Sequence, residues 1–264
     1  MSKDTQQQKQ YKILLIGEIC QDVYVFGNVN RLSPEAPVPV LKKRRKENKA
    51  GMAGNVHNNI MNMAKNIEID FCCNDIQNIK KIRFIDEKSN YQIMRYDIEK
   101  PLTRLSVEDI PAEDYDLIVI SDYNKGFVDN YIICEIVNKF STVKMFADTK
   151  KTDLQSFNNA VVKLNESEFI ESHSHPHSCE IIVTLGDRGC TYKDKIYATK
   201  KVDVHDVCGA GDVFLAALVV RWLETNDMND AIKTANNCAA LSVTKLGCYT
   251  LSRREYEDIV NTRD

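Results

Sequence analysis

Gly209-Ala210-Gly211-Asp212 is the stretch of this chain whose residue types and spacing could do chemistry. Residues 213–223, V-F-L-A-A-L-V-V-R-W-L, are apolar and free of glycine and proline, so they predict a buried helix. Gly209, Ala210 and Gly211 then stand at a helix entrance, where backbone N–H groups lack intrahelical acceptors and the dipole favours an anion. Small residues let a phosphoryl group approach those amides closely. Asp212 falls in the first turn, beside any anion held there. A carboxylate next to an oxyanion cradle supplies what phosphoryl transfer to an alcohol needs, a proton acceptor and charge stabilisation. The competing reading is a glycine-relaxed turn in which Asp212 only caps the helix. A Walker A loop is excluded, because no Gly-Lys-Ser/Thr occurs in the chain. A dinucleotide fingerprint is excluded too, since Val213 and Phe214 follow where a third glycine is needed.

The elements that must position this loop read as an alternating α/β chain. Residues 11–17 (Y-K-I-L-L-I-G) form an apolar run with a glycine stop, suited to a central parallel strand. Glu18 and Asp22 would lie at its C-terminal end, where open α/β sheets place ligands. Residues 31–40 (R-L-S-P-E-A-P-V-P-V) are proline-rich, which excludes a helix and disfavours a central strand. They read as edge or flap structure, and a flap that covered a sugar would exclude water, the competing nucleophile in phosphoryl transfer. Gly51 to Asn55 lead into a helix expected from His57, with Ile60, Met63 and Ala64 on one face. Asn55 would cap that helix or hold a sugar hydroxyl, the cap being the simpler role. Residues 69–73 predict a short strand. Residues 81–86 and 91–98 predict a hairpin turning at Lys88-Ser89-Asn90.

From residue 116 the alternation is regular. Strands expected at 116–121, 143–147, 160–164 and 180–185 deliver Asp122-Tyr123-Asn124-Lys125-Gly126, Asp148-Thr149-Lys150, Asn165-Glu166-Ser167-Glu168 and Thr184-Leu185-Gly186-Asp187-Arg188-Gly189. Polar, charged or glycine residues at successive C-terminal ends are the expected rim of a doubly wound, mostly parallel sheet. A helix is predicted over 130–140, and two closing helices over 231–246 and 252–260. Ser252 would cap the last of these, with Glu255 at N3.

The 264 residues suffice for one large α/β domain, and 43% of them are apolar, so the chain is globular. The expected domain covers 11–264, with lid segments at about 23–48 and 81–99, after a disordered lead-in at 1–10. The lead-in is polar and has no signal-peptide centre, and no apolar run is long enough to span a membrane. Nine cysteines without Cys-x-x-Cys spacing argue for reduced thiols in a cytoplasmic protein. A net charge of −3 gives no reason to expect nucleic acid as a partner. The basic run Lys42-Lys43-Arg44-Arg45-Lys46 reads as a solvated strand end or hairpin. His173, His175 and His177, the last two flanking Pro176, read as a connecting loop rather than a metal site.

These motifs together resemble the ribokinase-type (PfkB) sugar kinase family, and within it the heptose 7-phosphate kinase branch. Gly17-Glu18, Asp22-Val23-Tyr24 and the Ser33-Pro34-Glu35-Ala36-Pro37-Val38-Pro39-Val40 flap carry the likeness to that branch. Ser121 to Gly126, Asp148-Thr149-Lys150 and Lys245-Leu246-Gly247 are also similar to it. The Gly-Ala-Gly-Asp loop, Asn165-x-x-Glu168 and Thr184-x-Gly186-x-x-Gly189 resemble the wider family. The resemblance implies a ribokinase-like fold with a small β lid, and flap strands of this kind offer an open sheet edge that a homodimer through the lid would cover. It implies ATP and Mg²⁺ as cofactors, with room for a monovalent cation.

The resemblance also implies roles. Asp212 would be the base, and the amides of Gly209, Ala210 and Gly211 would stabilise the transferring phosphoryl. Asn165 would bind phosphate, and Glu168 would organise Mg²⁺ through water. Thr184, Gly186, Gly189 and Asn236 would line the nucleotide site, while Asp22, Gly51 and Asn55 would hold the sugar. Lys125, Lys150 and Arg95 are the candidates for anionic groups. The substrate implied is the anomeric hydroxyl of D-glycero-D-manno-heptose 7-phosphate, and the chain would be a stand-alone kinase without a nucleotidyltransferase half. The alternatives are a ribokinase-like kinase of another sugar or nucleoside, or a degenerate member that binds without turnover. Gly51-Met52 stands where the family has paired glycines, Cys208 where it has Thr or Ser, and Thr149 where it has Pro.

Overall fold

The computed structural model describes residues 9–262, so the expected lead-in falls outside the described residues except for its last two. The apolar run at the front is β1 (Tyr11–Gly17). Two 14-residue strands follow, β2 (Ile19–Leu32) and β3 (Pro39–Met52), joined by the proline-rich turn at 33–38. Next come α1 (Ala53–Met63), β4 (Ile67–Cys73) and the hairpin β5 (Ile79–Asp86) and β6 (Tyr91–Glu99). The alternation continues with β7 (Leu117–Asp122), α2 (Asn130–Lys139), β8 (Met145–Thr149), β9 (Ala160–Asn165), α3 (Glu166–Glu171) and β10 (Glu180–Thr184). Short strands β11 (Cys190–Tyr192) and β12 (Lys195–Tyr197), which the sequence pattern did not predict, precede α4 (Ala210–Thr225), α5 (Met228–Ser242) and α6 (Arg253–Asn261).

Eight strands form one sheet in the order β12-β11-β10-β9-β8-β7-β1-β4, parallel except at β11 and β12. Its two faces explain why β1 reads as a continuous apolar run. Ile13 and Leu15 join a core built with α1, α4 and α5, while Leu14 and Ile16 join a second core with α2. A strand covered on both faces has no solvated side on which to alternate. β1 pairs with β4 on one side and β7 on the other, so the winding reverses there and opens a crevice at the strand ends.

The remaining four strands form a separate sheet, β3-β2-β5-β6. The β2–β3 and β2–β5 registers set Lys49 and Lys81 on either side of Asp22, and Tyr24 opposite Arg83. Residues directly opposite in register share a face. Asp22, Tyr24 and Arg83 are buried on it. The basic run 42–46 lies exposed on the edge strand β3, where Arg45 sits 3.6 Å over the Phe26 ring.

Helix boundaries moved in two places. α1 starts at Ala53 rather than His57, so Asn55 lies inside its first turn and does not cap it. The cap position belongs to Met52, at φ 58° and ψ −134°, a conformation that costs a residue with a Cβ. α5 starts at Met228 rather than 231, because Asp227 caps it by accepting from the amides of Asn229 and Asp230, and it ends at Ser242. The histidine tract lies in the connection between α3 and β10. Among the described residues no helix is long and apolar enough to cross a membrane.

Ser252 caps α6 as expected, in a reciprocal capping box with Glu255. Ser252→Ala is expected to lower stability by about 1 kcal/mol, read as a shift of the urea midpoint at unchanged slope.

Candidate active site

The Gly-Ala-Gly-Asp stretch forms the entrance of α4. Gly209 is the N-cap, at φ 77°, which only a glycine adopts without strain. The amide of Ala210 turns back to the Val207 carbonyl at 3.3 Å. Asp212 is the third helical residue and only 3% exposed. Tyr123 donates its hydroxyl to Asp212 Oδ1 at 2.6 Å, and Asn55 donates Nδ2 to Oδ2 at 3.1 Å. Thus Asn55, placed inside α1 rather than at its cap, reaches a carboxylate 157 residues away. Gly209 also has to be small for this contact, since a Cβ there would stand 2.7 Å from Asn55 Nδ2. Burial pushes the Asp212 carboxyl up to about 6, against the pull of its hydrogen bonds from Tyr123 and Asn55; nearby Asp148 adds to the rise and Lys163 opposes it. A carboxylate poised there is deprotonated at neutral pH yet still basic.

The strand ends assemble around this group. Glu18, after β1, is fully buried and accepts the backbone amides of Tyr123, Lys125 and Phe127 at 2.7, 3.1 and 3.3 Å, which shapes the loop that carries Tyr123. Asp122 accepts from Thr149 Oγ1 at 2.6 Å and pairs with Lys151 at 3.3 Å. Asp148 pairs with Lys163 at 2.7 Å and Lys150 at 3.5 Å. Burial pushes Asp148 up, and these two ammonium groups overcome it and hold the carboxyl below its ordinary range. Lys150 also pairs with Glu168, and its Nζ lies 5.5 Å from the Tyr123 ring centroid. Asn165 and Glu168 form the capping box of α3, each accepting the other's backbone amide at 2.8 Å.

On the opposite side of the loop, Asp22 pairs with Arg83, and the Cys248 thiol lies 3.3 Å from Asp22 Oδ2. Gly51 is required by this packing, because a Cβ there would come within 2.0 Å of Asp22 Oδ2. Lys125 pairs with Glu99 at 2.8 Å, and Arg95 with Asp97 at 2.9 Å, both at exposed positions. Lys81 makes no ion pair among the described residues, and its Nζ lies 5.5 Å from the same Tyr123 ring.

Beyond the loop, away from Asp22, a cavity of about 420 Å³ is lined by Thr184, Gly186, Gly189 and Asn236, and also by Ala210 and Gly211 of the loop itself. Val202, Val204, Val207, Phe214 and Val243 supply apolar walls. Asn236 is buried and donates to the Tyr197 carbonyl at 2.9 Å, so it ties α5 to the end of β12. An apolar slot opening onto helix-entrance amides has the chemistry to take a flat base with an anionic tail.

Comparison with known proteins agrees with this architecture. Residues 151–254 match the model of the pfkB family carbohydrate kinases. The chain is 30% identical over 311 aligned residues to the bifunctional protein HldE of Helicobacter acinonychis (strain Sheeba), covering 95% of this chain and 66% of that protein. It is 30% identical over 311 aligned residues to HldE of Helicobacter pylori (strain ATCC 700392 / 26695), covering 95% and 67%. The chain belongs to the pfkB family of carbohydrate kinases. The chain thus spans about two thirds of the length of these curated relatives.

The fold is ribokinase-like. The ribokinase of Thermotoga maritima superposes with a TM-score of 0.70 at 18% identity, covering 96% of this chain and 100% of that one. Phosphofructokinase-2 of Escherichia coli superposes at 0.71 with 13% identity, covering 95% and 98%. Carbohydrate kinases of the pfkB family are phosphotransferases with a hydroxyl acceptor.

Besides Lys81 and Arg83, sequence reasoning missed Lys163. It is 3% exposed on β9, and a Cβ at Gly211 would stand 2.8 Å from its Nζ. The signal was present as a lysine inside the otherwise apolar strand A-V-V-K-L, since a buried charge needs a reason. Tyr123 was noticed only as part of a motif. Its hydrogen bond favours the ionised form of Asp212, so Tyr123→Phe should move the acid limb of the pH–rate profile above its wild-type position near 6. Initial rates between pH 5 and pH 8 test this, and a limb that stays in place counts against the contact.

Proposed function

We propose that this chain is an ATP- and Mg²⁺-dependent sugar kinase acting on the anomeric hydroxyl of a sugar phosphate, with D-glycero-D-manno-heptose 7-phosphate as the leading substrate. The observation that carries the reading is the position of Asp212. Its buried carboxylate lies in the first turn behind the Gly209–Gly211 amides, and Ala210 and Gly211 of that same turn line the apolar cavity. ATP in the cavity would direct its γ-phosphoryl at those amides. A sugar against the small sheet, held by Asp22, Gly51 and Asn55, would present its hydroxyl to Asp212.

In that arrangement Asp212 takes the hydroxyl proton as the oxygen attacks. The amides of the loop and the Lys163 ammonium face the charge on the transferring phosphoryl, where preorganised donors in a dry site act most strongly. Tyr123 and Asn55 hold the two Asp212 oxygens and so aim the base. Thr184, Gly186, Gly189 and Asn236 shape the nucleotide slot, and Asn165 turns α3 toward the phosphates. The small sheet would act as a lid that excludes water, and its exposed β3 edge supports a homodimer through the same sheet.

Mg²⁺ typically keeps much of its water shell and takes one or two carboxylates plus substrate phosphates. Glu168, with Asp148 beside it across Lys150, is a donor set of that kind. When bound with ATP, the ion would neutralise phosphate charge there. Glu168→Gln should therefore raise the Mg²⁺ concentration for half-maximal rate while leaving the sugar KM nearly unchanged. A Mg²⁺ titration of initial rate checks this, and an unchanged half-saturation counts against the role.

The HldE relatives support the heptose phosphate assignment. Cations on the acceptor side support a substrate that carries its own phosphate. Lys81 projects from the lid face with no acidic partner among the described residues, next to Asp22 in register. The Lys125–Glu99 and Arg95–Asp97 pairs are exposed, and pairs of that kind are worth under about 1 kcal/mol, so a phosphate can replace the acidic partner. Lys150, beside the ring of Tyr123, faces the junction of the two substrates. Lys81→Met keeps the apolar stem and removes the charge, at stake being a charge-assisted bond of roughly 1.5–3 kcal/mol. It should raise the KM for the sugar phosphate about tenfold with little change for ATP. Equal use of free sugars by the wild type, with no discrimination in the variant, would leave only the general sugar-kinase reading.

A further inference from the structure

Two thiols stand at the acceptor end of this site without a part in the chemistry above. Cys208 immediately precedes the amide loop, and Cys248 follows the turn at Gly247 after α5. Their sulfur atoms are 3.1 Å apart, about 1 Å beyond a bonded S–S separation. One carboxylate fixes both segments: Asp206 Oδ1 accepts the Cys208 amide at 2.9 Å, and Oδ2 accepts the Gly247 amide at 2.8 Å. The Cys248 amide is held in turn by the Tyr24 hydroxyl at 2.9 Å. The pair is thus already juxtaposed, and no large backbone movement separates it from a bridge.

We propose that Cys208 and Cys248 are a reversible modification site, a dithiol that a peroxide converts to an intramolecular disulfide beside the acceptor subsite. The two sulfurs differ in ways that divide the labour. Cys208 is half-buried and so reachable from the rim, whereas Cys248 is buried. A hydrogen bond from Cys248 lowers the Cys208 thiol against the opposing effect of burial, and the Arg83 guanidinium, 3.3 Å from its sulfur, lowers it further. Cys248 is pushed up by its hydrogen bond to Cys208 and by burial, so it keeps its proton. Asp22 and Asp206 oppose the lowering of Cys208 without reversing it, and a reachable thiol lowered in this way beside a resolving thiol that keeps its proton is the arrangement that oxidises selectively.

The chemistry balances with hydrogen peroxide as the only co-reactant. The Cys208 thiolate attacks one peroxide oxygen, the O–O bond breaks, and the departing oxygen leaves as water after taking up a proton. Cys208 becomes a sulfenic acid. The Cys248 sulfur then attacks Cys208 sulfur, the S–O bond breaks, and the hydroxide leaves with the Cys248 proton as a second water. Two thiols and one peroxide give one disulfide and two waters; the sulfurs are oxidised and the peroxide oxygens reduced. The bridge draws the Cys248 sulfur, which lies 3.3 Å from Asp22 Oδ2, into a bond with Cys208, takes the Cys208 thiolate from Arg83, and staples the residue before Gly209. Loss of sugar phosphorylation follows, a consequence that rests on the proposed kinase reading. The bridge itself does not.

Among the described residues no other two cysteine sulfurs are in hydrogen-bond contact. Cys20, Cys190 and Cys238 are fully buried, Cys134 and Cys179 lie apart on α2 and just before β10, and Cys72 and Cys73 are neighbours on β4, whose side chains point to opposite faces.

The test is peptide mapping of the full chain under non-reducing conditions after treatment with hydrogen peroxide, run beside a kinase assay. The expected result is a Cys208–Cys248 cross-linked peptide about 2 Da lighter than the two reduced peptides, for two hydrogens lost. Dithiothreitol should remove the bridge and restore activity. Cys248→Ser should instead trap Cys208 as a sulfenic acid that dimedone labels, and Cys208→Ser should show neither product. Both thiols remaining open to alkylation after peroxide, or bridges forming only among other cysteines, would overturn the site whatever the substrate proves to be. A bridge that forms while turnover is unchanged would overturn the gating. A wild type that phosphorylates no sugar would instead fail the kinase reading and leave the mapped bridge standing.

Discussion

Everything near the crevice answers to one constraint: a carboxylate must be kept almost out of water at the start of a helix and still ionise. Moving the Asp212 carboxyl from its ordinary 3.8 to about 6 disfavours the charged form by about 3 kcal/mol. The sign follows from the direction. Below the carboxyl's unfolded value both folded and unfolded chains hold the proton and no cost arises; as pH rises toward 6 the unfolded chain gives it up first, and stability falls. The fold therefore gives up stability at neutral pH to keep this group buried. Tyr123, Asn55, the helix entrance and Lys163 limit the loss.

The supporting parts come from distant places in the chain. Tyr123 is held by a loop whose amides converge on Glu18, Asn55 by the first turn of α1, and Lys163 by its pair with Asp148. A doubly wound sheet brings them together because its parallel strands end on one rim, and β1 lies where the winding reverses. The small sheet then supplies the other wall. Its inner face is charged, with Asp22 and Arg83 paired in the middle and Lys49 and Lys81 to either side.

How much of this was legible in the sequence depended on how local the cause was. The loop and its aspartate could be read because a glycine-rich entrance and an apolar helix are adjacent in the chain. The residues of the cavity, Thr184, Gly186, Gly189 and Asn236, could be gathered through the resemblance, and they do line one space. Of the two roles open to Asn55, the cap fails because α1 begins at Ala53, ahead of its first periodic residues, and the sugar-binding role does not depend on that boundary. Nothing local revealed that Met52 adopts a left-handed conformation and lets the helix begin at Ala53. The acidic partners of Lys125, Lys150 and Arg95 were equally hidden, since two of the three pairs join separate elements. Lys81, by contrast, only opens a predicted hairpin strand, and nothing in its local sequence singles it out. Only the register of β5 against β2 sets it beside Asp22.

In the proposed reaction Asp212 acts as the base while the amides and cavity hold the nucleotide without it. Asp212→Asn keeps the shape and the loop and removes only the proton acceptor. The deciding measurement is its single-turnover rate of sugar phosphorylation beside its ATP affinity. The expected result is a rate loss of roughly 10²–10⁴-fold with nucleotide affinity close to wild type. A variant that turns over at near wild-type rate, or one that loses ATP binding in step with turnover, would contradict it.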